Sequence, residues 1–377
     1  MPATIHPVHD KRDLAAFLKV PYRIYAGDPN HVFPLLSDQR RFFDQTHNPF
    51  YTHAETALWV ARDDAGRPVA RVAACVDRYH IRHTGEQSGF FGFYECPDDP
   101  ALSGELLQTA ATWLKGRGRD MAIMRGPCSF TTNHDYLGLL VDGDFGRPVV
   151  GMPYNPRWYE GQFAAFGLVK SRDLWAWRMD APDRRIPDRI KAAMEPLLAG
   201  ATFTVRPMDM SRFAEEAATV RAVYNAAWSK NWGFIPMDDA EFAYAAKDMK
   251  KMVSPDFMLI AEADGKPIGF SLTIPDFNQA TQPLRGHLLP FGWLTFLLKK
   301  RRIDYARTLL LGVLPDYRGR GVDAVMIYRT FEAGFRQGIR AGECSWILED
   351  NRSMNRILEG MGAKVYRTYR IYDKPLT

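Results

Sequence analysis

Cysteine is scarce and scattered: Cys75, Cys96, Cys128 and Cys344 are the only four in 377 residues, and no two share a C-x-x-C spacing. This pattern provides neither a disulfide framework nor a zinc site, so a reducing compartment fits and no metal is expected. Long apolar runs are missing as well. No stretch approaches the roughly 20 apolar residues that cross a bilayer, and the opening MPATIHPVHDKRDL lacks the apolar region of a signal peptide. The expected location is therefore cytoplasmic, without secretion or membrane spanning. Charge of one sign is also absent as a large block, since 49 Lys and Arg stand among 44 Asp and Glu for a net charge of +5. The one dense basic run, Lys299-Lys300-Arg301-Arg302, is too short for the broad stripe of a nucleic-acid binder, so nucleic acid is not an expected partner. A smaller anionic ligand or an acidic lipid surface suits the balance better.

What is present is an ordinary globular composition, 46% hydrophobic and 25% charged, with enough length for two domains with their own cores. Phe203 to Pro207 alternates as a short strand, Ser211 is placed to cap a helix running to about Trp228, and another helix begins near Asp239. Strands from Phe257 to Ala263 and from Ile268 to Ile274 flank Asp264-Gly265, a preferred two-residue hairpin turn. After a long irregular insert, Tyr305 to Val313 reads as a strand, Gly321 to Gln337 as a helix and Glu343 to Leu348 as a strand. Arg352 to Glu359 is then a helix and Val365 to Tyr372 a closing strand.

The first half has the same plan. Ala57 to Arg62 and Ala70 to Asp77 form a hairpin around Asp64-Ala65-Gly66, followed by a strand at Phe90 to Tyr94, a helix at Ser103 to Lys115 and a strand at Ala122 to Arg125. The segment from Asn155 parallels the one from Asn351: an Asn opens a short helix, an aromatic or Met precedes a Gly, and an aromatic-rich strand follows. The expected fold is α/β, two tandem units, each a mixed twisted sheet flanked by helices. The expected domains are 1–181 and 201–377, with a linker and helix at 182–200 and an apolar insert at 276–303.

Val313-Leu-Pro-Asp-Tyr-Arg-Gly-Arg-Gly-Val-Asp323 leaves an apolar strand and enters an amphipathic helix. Glycines let the backbone approach an anion, and the unpaired N–H groups of a helix start, with the positive end of its dipole, bind one. Arg318, Gly319, Arg320, Gly321, Val322 and Asp323 are therefore read as a pyrophosphate cradle, with the arginines as added charge. For a lone G-x-G, a surface turn that merely needs glycine is the alternative.

Leu310 to Gly321 resembles the signature of the GNAT acyltransferase superfamily, a strand followed by a V-x-P-x-Y-R-G-x-G loop. Leu348-Glu-Asp-Asn351 and Leu358-Glu-Gly-Met-Gly362 are similar to that family's later strand-Asn-helix-Gly stretch. The N-W-G-F-I-P-M stretch ending at Met237, the G-W-L insert, the cradle, W-I-L-E-D-N and the final Y-R-I-Y look like a group of bacterial tandem GNAT proteins that includes bacterial ceramide synthases. The resemblance implies an N-acyltransferase with acyl-CoA as co-substrate, held by the cradle, by Leu311 and Val313 of a splayed strand, and by Asn351. Two positions depart from the pattern. Asp323 stands where Gly or Ala is usual, and Leu358 replaces the Tyr that commonly protonates the leaving thiolate.

Attack of an amine on a thioester needs oriented reactants, an oxyanion donor and a base. Glu349 and Asp304, at strand ends, are candidates for the base, as is His134 in the polar stretch Thr132-Asn-His-Asp-Tyr136. Solvated carboxylates and a structural loop histidine are the plainer alternatives. Asn225, Trp228, Asn231 and Trp232 fall where the family places its acceptor-covering helices, and with Tyr136 and Trp293 they make up the expected substrate contacts. Helix packing also accounts for the tryptophans.

The insert contains Leu288-Leu-Pro-Phe-Gly-Trp-Leu-Thr-Phe-Leu-Leu298 directly before the basic run. It is too short to span a bilayer and long enough to lie in its interface, so 288–302 is a candidate for peripheral contact at the inner face of the cytoplasmic membrane. An acyl tunnel wall, a dimer contact and a core helix are the alternatives. With the resemblance, the insert points to a long-chain donor and an amphiphilic amine such as a sphingoid base, that is, to ceramide synthesis. Acetylation of a small soluble amine or a protein amino group, and a non-catalytic scaffold that binds acyl-CoA or membrane, are the other two readings.

Overall fold

The structure, a computed structural model, describes residues 3–118 and 120–376. Tertiary contacts divide it into two units: Met1–Leu174 with Thr281–Phe296 and Arg367–Thr377, and Trp175–Ala280 with Leu297–Tyr366.

The first unit contains β1 (Ala3–Pro7), α1 (Lys11–Ile24), α2 (Leu36–Phe42), β2 (Ala54–Asp63), β3 (Pro68–Asp77), α3 (Arg78–Thr84), β4 (Ser88–Glu95), α4 (Pro100–Lys115), β5 (Ile123–Gly126), β6 (Leu139–Gly143), α5 (Trp158–Phe166) and the start of β7 (Val169–Asp180). β1 to β4 are joined antiparallel, and β4 pairs with β5 in parallel. β3 is buried along nearly its whole length and is apolar on both faces apart from Arg71 and the closing Asp77, because both faces are covered. Apolar positions of α4, among them Leu102, Leu106, Ala110 and Leu114, pack on Val72, Ala74 and Phe91 of the sheet. The end of the chain completes this sheet, with Tyr372 to Pro375 antiparallel to β5.

The second unit holds the rest: α6 (Asp188–Ala199), β8 (Thr204–Pro207), α7 (Phe213–Trp228), α8 (Asp239–Met252), β9 (Met258–Ala263), β10 (Lys266–Pro275), α9 (Asn278–Thr281), α10 (Gly292–Lys300), β11 (Tyr305–Val313), α11 (Val322–Arg336), β12 (Ala341–Leu348), α12 (Arg352–Gly360) and the start of β13 (Lys364–Pro375). α9, α10 and β13 run across the division into the first unit. The sheet order is β7-β12-β11-β10-β9-β8, antiparallel from β8 to β11 and parallel between β11 and β12. Asp264 and Gly265 take φ of +49° and +71° in the β9–β10 hairpin, as the two-residue turn requires.

Three local expectations are corrected. Ser211 does not cap α7: Asp209 accepts from its N–H at 2.9 Å and its hydroxyl at 2.6 Å, and α7 starts only at Phe213. A carboxylate two residues earlier accepts both donors and draws Met210–Arg212 into a 3-10 turn. Asn155 does not open α5 as Asn351 opens α12. It accepts from Leu140 N–H at 2.8 Å and donates to Leu140 carbonyl at 3.1 Å, pairing with β6 in the manner of a strand residue. The insert is not irregular throughout, since it carries α9 and α10.

Candidate active site in the second unit

β10 and β11 are in register from Pro275–Ala306 to Thr273–Thr308, after which Leu272 faces Leu310 and Leu309 is left over. Such a bulge bends its strand and raises the local twist. β11 pairs with β12 only over Tyr305 to Thr308, against Ala341 to Cys344, so the two strands part where the bulge begins. α7 covers one face of the opening. At Gly312 a Cβ would lie 2.7 Å from Phe270 Cε1 and 3.3 Å from both Ala227 Cβ and Trp228 Nε1, so glycine lets α7 approach the strand closely. Trp228 donates its indole N–H to the Leu311 carbonyl at 3.3 Å and packs on Tyr224 and Phe234.

Register assigns the remaining side chains to faces. Ile274 is opposite Arg307, which is opposite Glu343, so both charged residues share the α7 side with Phe270. Thr273 and Thr308, bonded at 2.9 Å, point to the α11 side. Arg307 is fully buried. Its Nε donates to Ser345 Oγ at 3.0 Å, Nη2 donates to the Ser345 carbonyl at 3.3 Å, and the guanidinium lies 4.7 Å over the Trp346 ring. The Glu343 carboxylate, 3.9 Å from Arg307, accepts from the Ser345 and Tyr366 hydroxyls. A carboxylate that is 1% exposed needs such partners, because burying an unpaired charge is very costly. Tyr366 is half-buried, with the Arg178 guanidinium 5.9 Å over its ring.

The loop after β11 makes a single turn at Pro315–Tyr317 and then takes φ of +73° at Gly319 and +80° at Gly321, which caps α11. The N–H groups of Gly319 to Asp323 have no acceptor among the described residues. Arg318 turns inward, donating from Nε to the Val313 carbonyl at 3.2 Å and from Nη2 to the Ala227 carbonyl, so it ties the loop to the end of α7. Arg320 is exposed, 5.1 Å over the Tyr317 ring. Asp323 accepts from the Ala324 N–H at 2.9 Å and so occupies one of the donors of the helix start. Free donors, two left-handed glycines and Arg320 fit a pyrophosphate, with Asp323 as the one opposing charge.

The other sequence candidates are dispersed. Val313 and Val322 are buried with Met326, the Val313 carbonyl already accepts from Arg318, and Asn351 caps α12 by accepting from Met354 N–H at 3.3 Å. Asn225 Oδ1 is buried without a partner, Asn231 is exposed and Trp232 half-buried. Glu349 is half-buried at the end of β12, and its carbonyl accepts from Asn355. Asp304 accepts from Gln279 Nε2 at 3.0 Å, at the far end of β11 from the cradle, roughly 30 Å away by strand rise. In the first unit, His134 Nδ1 donates to the Ser129 carbonyl at 2.6 Å, with the Phe42 and Phe50 rings about it, and Tyr136 is exposed. Trp293 is exposed on α10. Leu358 is 1% exposed among Trp177, Val325 and Ile347, so an aliphatic side chain there is explained by packing.

Glu343, Arg307 and Tyr366 are functional candidates that the sequence reading missed. Their signal was charges in the middle of two apolar strands, which becomes a pair only through the β11–β12 register. On the α11 side of the sheet, Trp177, Phe257, Phe331, Phe335 and Leu358 line a small apolar cleft that is partly open to solvent. Cys344 also lines it, but burial pushes its thiol up to about 12, which leaves no useful thiolate near neutral pH. No group of three or more His, Cys, Asp or Glu among the described residues is arranged to hold a metal.

The first unit repeats the geometry without the opening. β4 and β5 pair over Ser88 to Phe90, and a bulge lies just beyond, where Phe93 takes φ of +46°. The space is filled by the chain itself. Cys128 N–H donates to the Phe91 carbonyl at 2.8 Å, and the Cys128 carbonyl sits so close to Gly92 that a Cβ there would lie 1.6 Å from it. The loop into α4 is Cys96-Pro97-Asp98-Asp99, in which Asp99 caps the helix and Pro100 removes an N–H.

Two parallel strands splayed at a bulge, with a glycine loop entering the next helix, define the GNAT fold. Solved structures agree: a tandem GNAT protein from the clavulanic acid biosynthesis pathway matches 100% of this chain with 99% of its own, at a TM-score of 0.59 and 14% identity. A GCN5-related N-acetyltransferase from Sphaerobacter thermophilus matches 99% of this chain with 96% of its own, at a TM-score of 0.56 and 13% identity. Among curated proteins, the Escherichia coli K12 protein YghO is 35% identical over 97% of this chain and 94% of its own length. The bacterial ceramide synthase of Caulobacter vibrioides is 34% identical over 99% of this chain and 97% of its own. No protein-family profile matches. The chain belongs to the bacterial tandem GNAT acyltransferases, the group that includes that ceramide synthase.

Proposed function

We propose that this protein moves an acyl group from acyl-CoA to the primary amine of an amphiphile, with a long-chain donor and a sphingoid base as the preferred pair. The observation that carries this reading is the divergence of β11 from β12 at Leu309, immediately before a loop with unpaired N–H groups. The cradle would hold the donor's pyrophosphate, and the parted strand edges would receive the pantetheine arm. Acyl-CoA, when bound, supplies the thioester that is cleaved. The likeness to a bacterial ceramide synthase supports a lipid amine as acceptor, and the apolar cleft beside Thr308 and Cys344 supports a long acyl chain.

In this reading Tyr366 is the catalytic residue. Its phenol accepts the proton of the attacking amine as it passes its own to Glu343, to which it is already hydrogen bonded. Glu343 acts through Tyr366, and Arg307 with Ser345 fixes its position and offsets its charge. The protonated pair can then return the proton to the departing thiolate, the task that a phenol at Leu358 would otherwise serve.

Incubating purified protein with palmitoyl-CoA or acetyl-CoA and with sphinganine or small soluble amines, while following free thiol, tests the proposal. Thiol release that requires palmitoyl-CoA and sphinganine is the expected result. Release with acetyl-CoA and a soluble amine instead would replace the lipid reading, and tight CoA binding without turnover would make the protein a scaffold.

A further inference from the structure

α10 leaves its apolar face open. At about 100° per residue, Trp293, Leu294, Leu297 and Leu298 fall within an arc of about 140°, and all four are exposed, Leu298 at 67%. Leu289 and Phe291, in the turn leading into the helix, are exposed at 77% and 73%. Soluble monomers rarely present so many large apolar side chains side by side unless something covers them. The helix runs directly into Lys299, Lys300, Arg301 and Arg302, all exposed and none in an ion pair among the described residues. From Phe277 to Ile303 the sequence contains no carboxylate, so every charge on this segment is positive. The segment therefore offers apolar surface and cations together, which matches a surface that is apolar inside and anionic at its rim. No helix among the described residues is long and apolar enough to cross a membrane, and the nine residues of α10 have a length suited to an interfacial position.

We propose that residues 288–302 dock onto the surface of an anionic phospholipid bilayer, with the α10 arc among the upper acyl chains and the four basic residues on lipid phosphates. This surface is independent of the acyl-transfer reading. The test is co-sedimentation of the full-length protein with vesicles of phosphatidylcholine alone and of phosphatidylcholine containing about one third phosphatidylglycerol. Binding at least about tenfold tighter to the anionic vesicles, weakened by salt, is expected. A Leu294→Ser, Leu297→Ser, Leu298→Ser variant and a variant with Lys299, Lys300, Arg301 and Arg302 all changed to Ala should each lose about tenfold or more, with unchanged thermal melting. If the serine variant misfolds, the wild-type vesicle comparison still decides, with Trp293→Phe abolishing the lipid-induced blue shift of tryptophan emission. The proposal is overturned if the protein ignores the anionic lipid, or if both folded variants bind as well as the wild type. It is equally overturned if light scattering shows a dimer that only the serine variant dissociates, which would give this face to a second copy of the chain.

Discussion

β4 with α4 and β11 with α11 are the same device in two units, a bulged strand that parts from its parallel neighbour and feeds a helix, yet only one of them is open. In the first unit the Cys128 backbone fills the gap and Asp99 sits at the helix start. In the second β11 is unpaired with β12 beyond Thr308, and Gly319 to Asp323 offer unpaired donors. The scaffold thus accounts for the shape of a site, while a handful of residues at the gap decide whether a ligand can use it.

The largest effect should come from exchanging the glycines at the two gaps. Gly92→Ala places a methyl against the Cys128 carbonyl at 1.6 Å, where backbone must move. We expect a loss of about 3 kcal/mol or more in denaturant unfolding. Gly312→Ala meets Phe270 at 2.7 Å, a side chain that can shift, and should cost less stability while lowering acyl transfer. If Gly92→Ala proved harmless, the filled gap would not be a packed structure.

The proposed placement of the chemistry in the second unit implies unequal responses to parallel changes. Tyr366→Phe and Glu343→Gln should lower kcat/KM by about a hundredfold or more with CoA affinity little changed, whereas His134→Gln should stay within about threefold of wild type. The reverse pattern in turnover assays would move the reacting atoms to the first unit. At the cradle, Gly321→Ala forces a Cβ into a left-handed residue with Leu197 3.1 Å away, and should weaken CoA by about tenfold in calorimetry. Asp323→Asn keeps the bond to Ala324 and removes the charge, so CoA should bind about two- to fivefold tighter. A loss there would give the carboxylate a positive role.

The smallest effect is an acid sensitivity of the first unit. Burial against Tyr25, at 3.7 Å, lowers the pKa of His31 to about 3, only partly countered by Asp28. A histidine depressed when folded favours folding above its ordinary value of 6.5 and loses that advantage as pH falls toward 3. Melting temperature should therefore decline between these limits, and more shallowly in His31→Phe. Parallel curves for the two proteins would remove His31 from the account.

Much of the fold was legible because hydrophobic period and turn chemistry are local. β11 runs from Tyr305 to Val313 as its apolar run predicts, and the left-handed Asp264-Gly265 turn sets the hairpin before it. Ser211 misled because Ser and Asp cap by the same chemistry, and only the folded turn shows which one reached the donors. Leu309 could not be identified as a bulge from a strand of three consecutive leucines, although the bulge changes which of them face α7. Arg307 and Glu343 lie 36 residues apart in a sequence rich in charges, and parallel register makes them neighbours.

By itself the sequence determined the glycine loop, the strands and helices around it, the tandem plan and the apolar-then-basic insert, because each is written in adjacent residues. Tertiary structure alone decided which gap is open, which carboxylate is buried beside a guanidinium, and that α10 keeps its apolar arc exposed. It also decided that Arg367–Thr377, at the end of the chain, belongs with the first unit, where Tyr372 to Pro375 pair with β5. Strand pairing, bulges and burial depend on partners far away in the chain, and a local pattern carries no record of which partner will arrive.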